Sequence, residues 1–139
     1  MCGKPTSTSV LASAGLLVGR LLLSFIFVHE GISILPRYAA AVAYMEKFGV
    51  PGMLLPAVIA LELGGGLMIA VGAGTRVAAL AFALFCVLTA LLFHWQLADG
   101  NQLLHLQKDL AIAGGFLILS ASGAGKWSLD RWIGQRKGL

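Results

Sequence analysis

Arg20, Glu30, Glu62 and Lys108 fall inside apolar stretches long enough to cross a bilayer, and His94, His105 and Asp109 stand near the ends of two of them. A charge at membrane depth costs at least ~2.5–3.5 kcal/mol on insertion scales, so it persists where partners, water or a ligand compensate it. Carboxylates and histidines can relay protons, and lysine and histidine can donate hydrogen bonds to a polar headgroup. These seven residues form the candidate ligand and proton site. No catalytic residue is assigned, because the chain carries no self-contained catalytic motif.

Depth and helical phase refine the set. At 1.5 Å per residue, Glu30 lies roughly 8 Å from the end of its stretch and Glu62 roughly 13 Å into the next. On the last stretch His105 and Asp109 fall about 40° apart, with Lys108 about 60° to the other side, which makes one polar face. His29 points nearly opposite Arg20 and is the weakest member. Charge arithmetic offers Arg20–Glu62 or Glu62–Lys108 as ion pairs, although buried pairs rarely gain net stability over apolar packing. His29, His94, His105 and Glu30 are enough ligands for a metal, and two histidines could ligate haem. Neither spacing nor depth singles out such a site.

The elements that must position these groups are four spans of about 20 apolar residues, over 11–35, 53–73, 76–95 and 103–122. Pro36 closes the first, Gly72-Ala73-Gly74 turns between the second and third, and Ala98-Asp99-Gly100-Asn101 turns between the third and fourth. The connection from Pro36 to Gly52 holds alanines, Tyr38, Tyr44 and Phe48 with few charges, which suits a short interfacial helix or an ordered loop packed on the bundle. Gly15/Gly19, Ala79/Ala83 and Ala111/Gly115 are spaced for close helix approach. Gly64-Gly65-Gly66, two residues past Glu62, reads either as close packing or as a loosened helix beside a ligand.

Composition agrees. Of 139 residues 58% are hydrophobic and 12% charged, with mean hydropathy +0.88; an ordinary soluble domain is about 25% charged. The net charge of +4 comes with no basic run or aromatic-basic platform, so nucleic acid is not an expected partner. Gly123-Ala124-Gly125-Lys126 has Trp127 where a phosphate loop needs Ser or Thr. Lys126, Arg131, Arg136 and Lys137 place much of the excess charge in the tail, where it can meet anionic headgroups. With Lys4 and Arg76 they outnumber Arg37, Lys47 and Lys108 on the opposite side, which predicts both termini in the cytoplasm. Cys2 and Cys86 are too far apart in the expected topology for a structural disulfide, and Cys86 reads as a small apolar filler.

Several stretches in order resemble the DoxX family of small four-helix bacterial membrane proteins over nearly the whole chain. They run from Gly19-Arg20-Leu21-Leu22 to His29-Glu30-Gly31, through Tyr44-Met45 and Gly49-Val50-Pro51, to Leu61-Glu62-Leu63-Gly64-Gly65-Gly66. Gly72-Ala73-Gly74-Thr75-Arg76, Phe93-His94 and Lys108-Asp109-Leu110-Ala111-Ile112-Ala113-Gly114-Gly115 follow, then Ser128-Leu129-Asp130. Asp109 stands where the family usually has Asn, and Gly123-Ala124-Gly125 replaces a more typical Gly-Pro-Gly. The resemblance implies an inner-membrane protein of a family named after a subunit of an archaeal thiosulfate:quinone oxidoreductase.

The expected architecture is an all-α, four-helix transmembrane bundle forming one membrane domain over residues 1–139. The expected function is a quinone- or quinol-interacting or accessory subunit of a membrane redox complex. Its partners are the lipid bilayer and either redox subunits or further copies of itself. A quinone is the leading cofactor candidate, ahead of haem or metal. Proton-coupled transport of a small solute and a non-catalytic assembly role are the rival readings.

Overall fold

The structure, a computed structural model, describes residues 7–95 and 97–137; Cys2 and Lys4, which enter the disulfide and orientation arguments, lie outside them. Among the described residues the regular structure is entirely helical. Four helical segments are long and apolar enough to span a membrane: Val10–Lys47, Gly52–Val71, Thr75–Phe93 and Gly100–Ser122.

The last three agree with the expected spans to within a few residues. The first runs on. Helix α1 (Ser7–Ile34) passes through a 3-10 turn, Leu35–Arg37, into α2 (Tyr38–Lys47). Pro36 tightens the helix without ending it, because in the first turn of a new element its missing N–H leaves nothing unpaired. The second span is composite: α3 (Leu55–Ala60), a π-helical turn over Leu61–Gly65, and α4 (Gly66–Val71). Helices α5 (Thr75–Phe93) and α6 (Gly100–Ser122) pack along each other, α1 packs against the second span, and α7 (Leu129–Lys137) closes the chain.

Aromatic stacking centres the bundle. Phe82 stacks on Phe116 with centroids 4.9 Å apart, and Phe27 meets both at 4.5 and 5.5 Å. Ala79, Ala83, Ala113 and Cys86 fill the gaps between them, so Cys86 is the apolar filler its setting suggested. The Ala79/Ala83 step is buried as its spacing predicts, whereas a methyl at Gly15 or Gly19 would have no neighbour within 4 Å among the described residues beyond its own helix backbone. The glycine triplet serves two purposes. A methyl on Gly65 would press the Phe82 ring at 3.0 Å and one on Gly66 would press Val28 at 2.8 Å, while Gly64 faces open space within the π turn.

At the end of the bundle near Gly72, Arg20 draws three chain segments together. Its side chain is 1% exposed, and its guanidinium donates to the carbonyls of Ala70 (3.3 Å), Trp127 (2.9 Å) and Ala124. One cation thereby satisfies acceptors left open where α4 ends and where the chain leaves α6. Gly72 adopts φ +74, and a methyl there would fall 2.6 Å from both Arg20 Nη1 and Ser128 Cβ. Asp130 completes the knot. Its carboxylate accepts from Gly74 N (2.7 Å) and Thr75 N (3.0 Å), capping α5, while its own N–H donates to the Gly72 carbonyl at 2.8 Å. The Arg20–Glu62 ion pair that charge arithmetic offered is not formed, because Arg20 is committed to backbone oxygens.

Arg20→Met should therefore lower stability in detergent by about 3 kcal/mol, since each buried group left unsatisfied costs ~1–3 kcal/mol. Arg20→Lys should recover only part of this, lacking the fork that reaches several carbonyls. An unchanged melting midpoint in Arg20→Met would contradict the assignment. Acidity gives a second check. Burial pushes the Asp130 carboxyl up, but the Thr75 and Gly74 N–H donors and the nearby Arg20 charge outweigh it and hold the group below its ordinary range. A carboxyl depressed in the folded state contributes stability above its unfolded pKa and loses it as pH falls through the folded value. The advantage of wild type over Asp130→Ala, about 1 kcal/mol for a cap, should be level from about pH 5 to 8 and shrink below about pH 4. An advantage that grew on acidification would contradict the cap.

Candidate functional site

At the opposite end of the bundle from Gly72, helix packing leaves a cavity of about 620 Å³. It lies between α1, α2, the second span and α5, with Ala41, Tyr44, Val58 and Leu88 on its walls. The π turn shapes it. Widening one turn shifts the side-chain register, and such insertions recur at functional sites; here the widened turn carries Glu62.

Glu62 is 6% exposed and lines this cavity, and among the described residues no partner reaches its Oε2. Glu30 and Arg37 line the same space from the end of α1 and the turn after it. Glu30 itself is exposed and stands 3.8 Å from the exposed His29. Arg37 holds Ser33 through its carbonyl (3.2 Å) and hydroxyl (3.1 Å). An aromatic wall closes one side: Tyr44 stacks on Phe93 at 5.6 Å, and Phe48 packs on both at 5.0 and 5.3 Å. The α2 segment is thus a helix roofing the cavity.

A second polar group adjoins the cavity through Thr89, which lines it. The Thr89 hydroxyl lies 3.3 Å from Asp109 Oδ2, and also 3.1 and 3.0 Å from the carbonyls of Phe85 and Cys86. One hydroxyl hydrogen serves only one of three acceptors at a time. Asp109 Oδ2 faces His94 Nε2 at 3.9 Å, His94 Nδ1 lies 2.7 Å from Gln102 Oε1, and the His94 and His105 rings stack at 5.1 Å. Thr89, Asp109, His94 and Gln102 form a polar chain from the cavity wall to the turn between α5 and α6.

Of the seven candidates, Glu30 and Glu62 share the cavity, and His94, His105 and Asp109 share the adjoining cluster. Arg20 belongs to the knot, roughly 15 Å along α1 from Glu30. Lys108 is exposed on α6 beside Asp109 and lines no part of the cavity, so the Glu62–Lys108 pair is not formed; the 100° step between neighbours turns it outward, where a lysine can extend toward headgroups. Among the described residues no three His, Cys, Asp or Glu side chains converge to hold a metal. Thr89 was missed by a search confined to charges and histidines, and Arg37 by a search confined to the spans, since it lies just beyond Pro36. A hydroxyl in the apolar run between Arg76 and His94 was the available signal for Thr89.

The DoxX family profile matches residues 15–95. Inner membrane protein YqjF of Escherichia coli (strain K12) is 45% identical over 126 residues, covering 91% of this chain and 97% of its own. Inner membrane protein YphA of the same organism is 33% identical over 123 residues, covering 84% and 88%. No solved structure matches.

The contact between Thr89 and Asp109 should appear in a double-mutant cycle. Thr89→Val and Asp109→Asn are expected to couple by about 0.5–1.5 kcal/mol in detergent stability. Strict additivity would remove Thr89 from the polar chain.

Proposed function

The chain belongs to the DoxX family and is an integral protein of the bacterial inner membrane, and on that premise we propose that its cavity binds the head of a quinol for a membrane redox complex. One observation carries the reading: the Glu62 Oε2 atom is buried in a mostly apolar cavity without a partner among the described residues. A buried acceptor of this kind calls for a donor, and a quinol hydroxyl is a donor on a flat apolar ring. The volume lies within the usual range for small-molecule sites, about 300–1,000 Å³. Tyr44 and Phe93 offer faces for ring stacking.

The residues divide the work. Glu62 accepts the hydroxyl hydrogen bond at the floor of the cavity, and the aromatic wall orients the ring. Arg37 and Glu30 stand at the rim. Thr89, Asp109 and His94 carry protons from the cavity toward the α5–α6 turn. Bound quinol supplies two electrons and two protons on oxidation, and the electrons pass to a partner subunit. Both termini lie in the cytoplasm, so the cavity opens toward the outer leaflet. This orientation rests on the excess of Lys and Arg at the knot end.

The test is binding of a short-tailed benzoquinol, kept reduced, to the protein in nanodiscs. Glu62→Gln should weaken binding about tenfold to a hundredfold, because it sets an NH2 donor where an acceptor oxygen stood, and a buried polar group left unsatisfied costs ~1–3 kcal/mol. Ala41→Phe should abolish binding by filling the space. Lys108→Met should bind as wild type, since that side chain stands outside the cavity. Undiminished binding in both Glu62→Gln and Ala41→Phe would overturn the proposal. Proton-coupled uptake of a solute into proteoliposomes, in the absence of quinol binding, would favour transport instead.

A further inference from the structure

The knot end carries a surface that the quinol reading does not use. We infer that the groove between the first turn of α5 and the segment leading into α7 is a binding site for the phosphate of an anionic phospholipid, with α7 lying in the headgroup layer.

Three cations line the larger groove: Arg76, Lys126 and Arg131. Its volume is about 530 Å³, and a neighbouring groove of about 450 Å³ shares Lys126, Ser128 and Arg131 with it. The carboxylate in the larger groove, Asp130, already has its oxygens on Gly74 N and Thr75 N. Arg76 is held in place by a reciprocal contact with Ser120: its guanidinium donates to the Ser120 carbonyl at 3.2 Å, and the Ser120 hydroxyl donates to the Arg76 carbonyl at 3.0 Å. Three cations against one engaged carboxylate suit a phosphate.

The helix beside the grooves fixes the source of that phosphate. Leu129, Trp132 and Ile133 fall within about 100° of one another on α7, and with Trp127 they are 40%, 50%, 39% and 51% exposed. Arg136 lies over the Trp132 ring at 3.8 Å, while Arg131 projects from the other side of the helix toward the grooves. An apolar, tryptophan-bearing face that carries Arg136 at its far end, with Arg131 on the opposite side, suits a helix lying in a membrane interface. The Asp130 contacts pin α7 at the level where the second and third spans meet, so its apolar face reaches the acyl boundary while the grooves face the headgroups. A soluble phosphate would use the cations and leave the two tryptophans without a role.

The experiment uses the full chain with Trp95→Phe, so that Trp127 and Trp132 report alone. It compares quenching by brominated phosphatidylglycerol and by brominated phosphatidylcholine at equal mole fraction in otherwise identical nanodiscs. Phosphatidylglycerol should quench at least about twofold more strongly, because cations near a membrane surface favour anionic lipid. Lys126→Gln with Arg131→Gln should keep the melting midpoint and the phosphatidylcholine quenching but lose the preference. Equal quenching by the two lipids in the parent protein overturns the inference, as does loss of the preference on adding inorganic phosphate, which would mark a soluble-anion site. Absence of quenching by either lipid overturns the interfacial placement of α7.

Discussion

Inside a bilayer every backbone oxygen that a helix leaves open must find a donor within the protein, because lipid offers none. This constraint governs the bundle end where α4 stops and the chain leaves α6. Arg20 meets it alone with three carbonyls, and Asp130 meets the complementary need by capping the N–H groups that open α5. The buried arginine is therefore an architectural part. Its charge is compensated by backbone dipoles and by Asp130 nearby, which leaves the remaining acids free of any structural pairing with it.

That division explains why the opposite end can be loose. The aromatic stack of Phe27, Phe82 and Phe116 fills the centre, and the knot ties the spans at one end. Beyond the stack, the cavity opens between α1, α2, the second span with its π turn, and α5. A constellation carried on helices is held more precisely than one on loops. Glu62, carried on the widened turn, faces that volume, and Thr89 on its wall links it to Asp109 and His94.

Hydropathy made the spans legible, since the length of an apolar run is set by bilayer thickness and not by tertiary detail. The cavity-facing acids Glu30 and Glu62 and the cluster of His94, His105 and Asp109 were legible for a related reason, because ionisable groups in such runs are conspicuous. What could not be read was their partners. Charge counting offered Arg20 or Lys108 as the partner of Glu62, because carbonyl oxygens do not appear in a tally of charges. Asp130 drew no structural role because its acceptor work is done on N–H groups more than fifty residues earlier in the chain. Lys108 looked equivalent to Asp109 at one residue's remove, yet a single 100° step separates the cluster from the outer surface. The π turn lies beyond any fixed 3.6-residue periodicity; the glycine triplet was its one outward sign.

If the cavity binds a quinol, Glu62 is the group that meets it. Infrared difference spectroscopy of the protein in nanodiscs, with and without benzoquinol, reads that carboxyl directly. A carboxyl-region change on ligand addition, absent from Glu62→Gln, is the expected result. A spectrum unchanged by ligand in the carboxyl region, or a change that persists in Glu62→Gln, would contradict that role for Glu62.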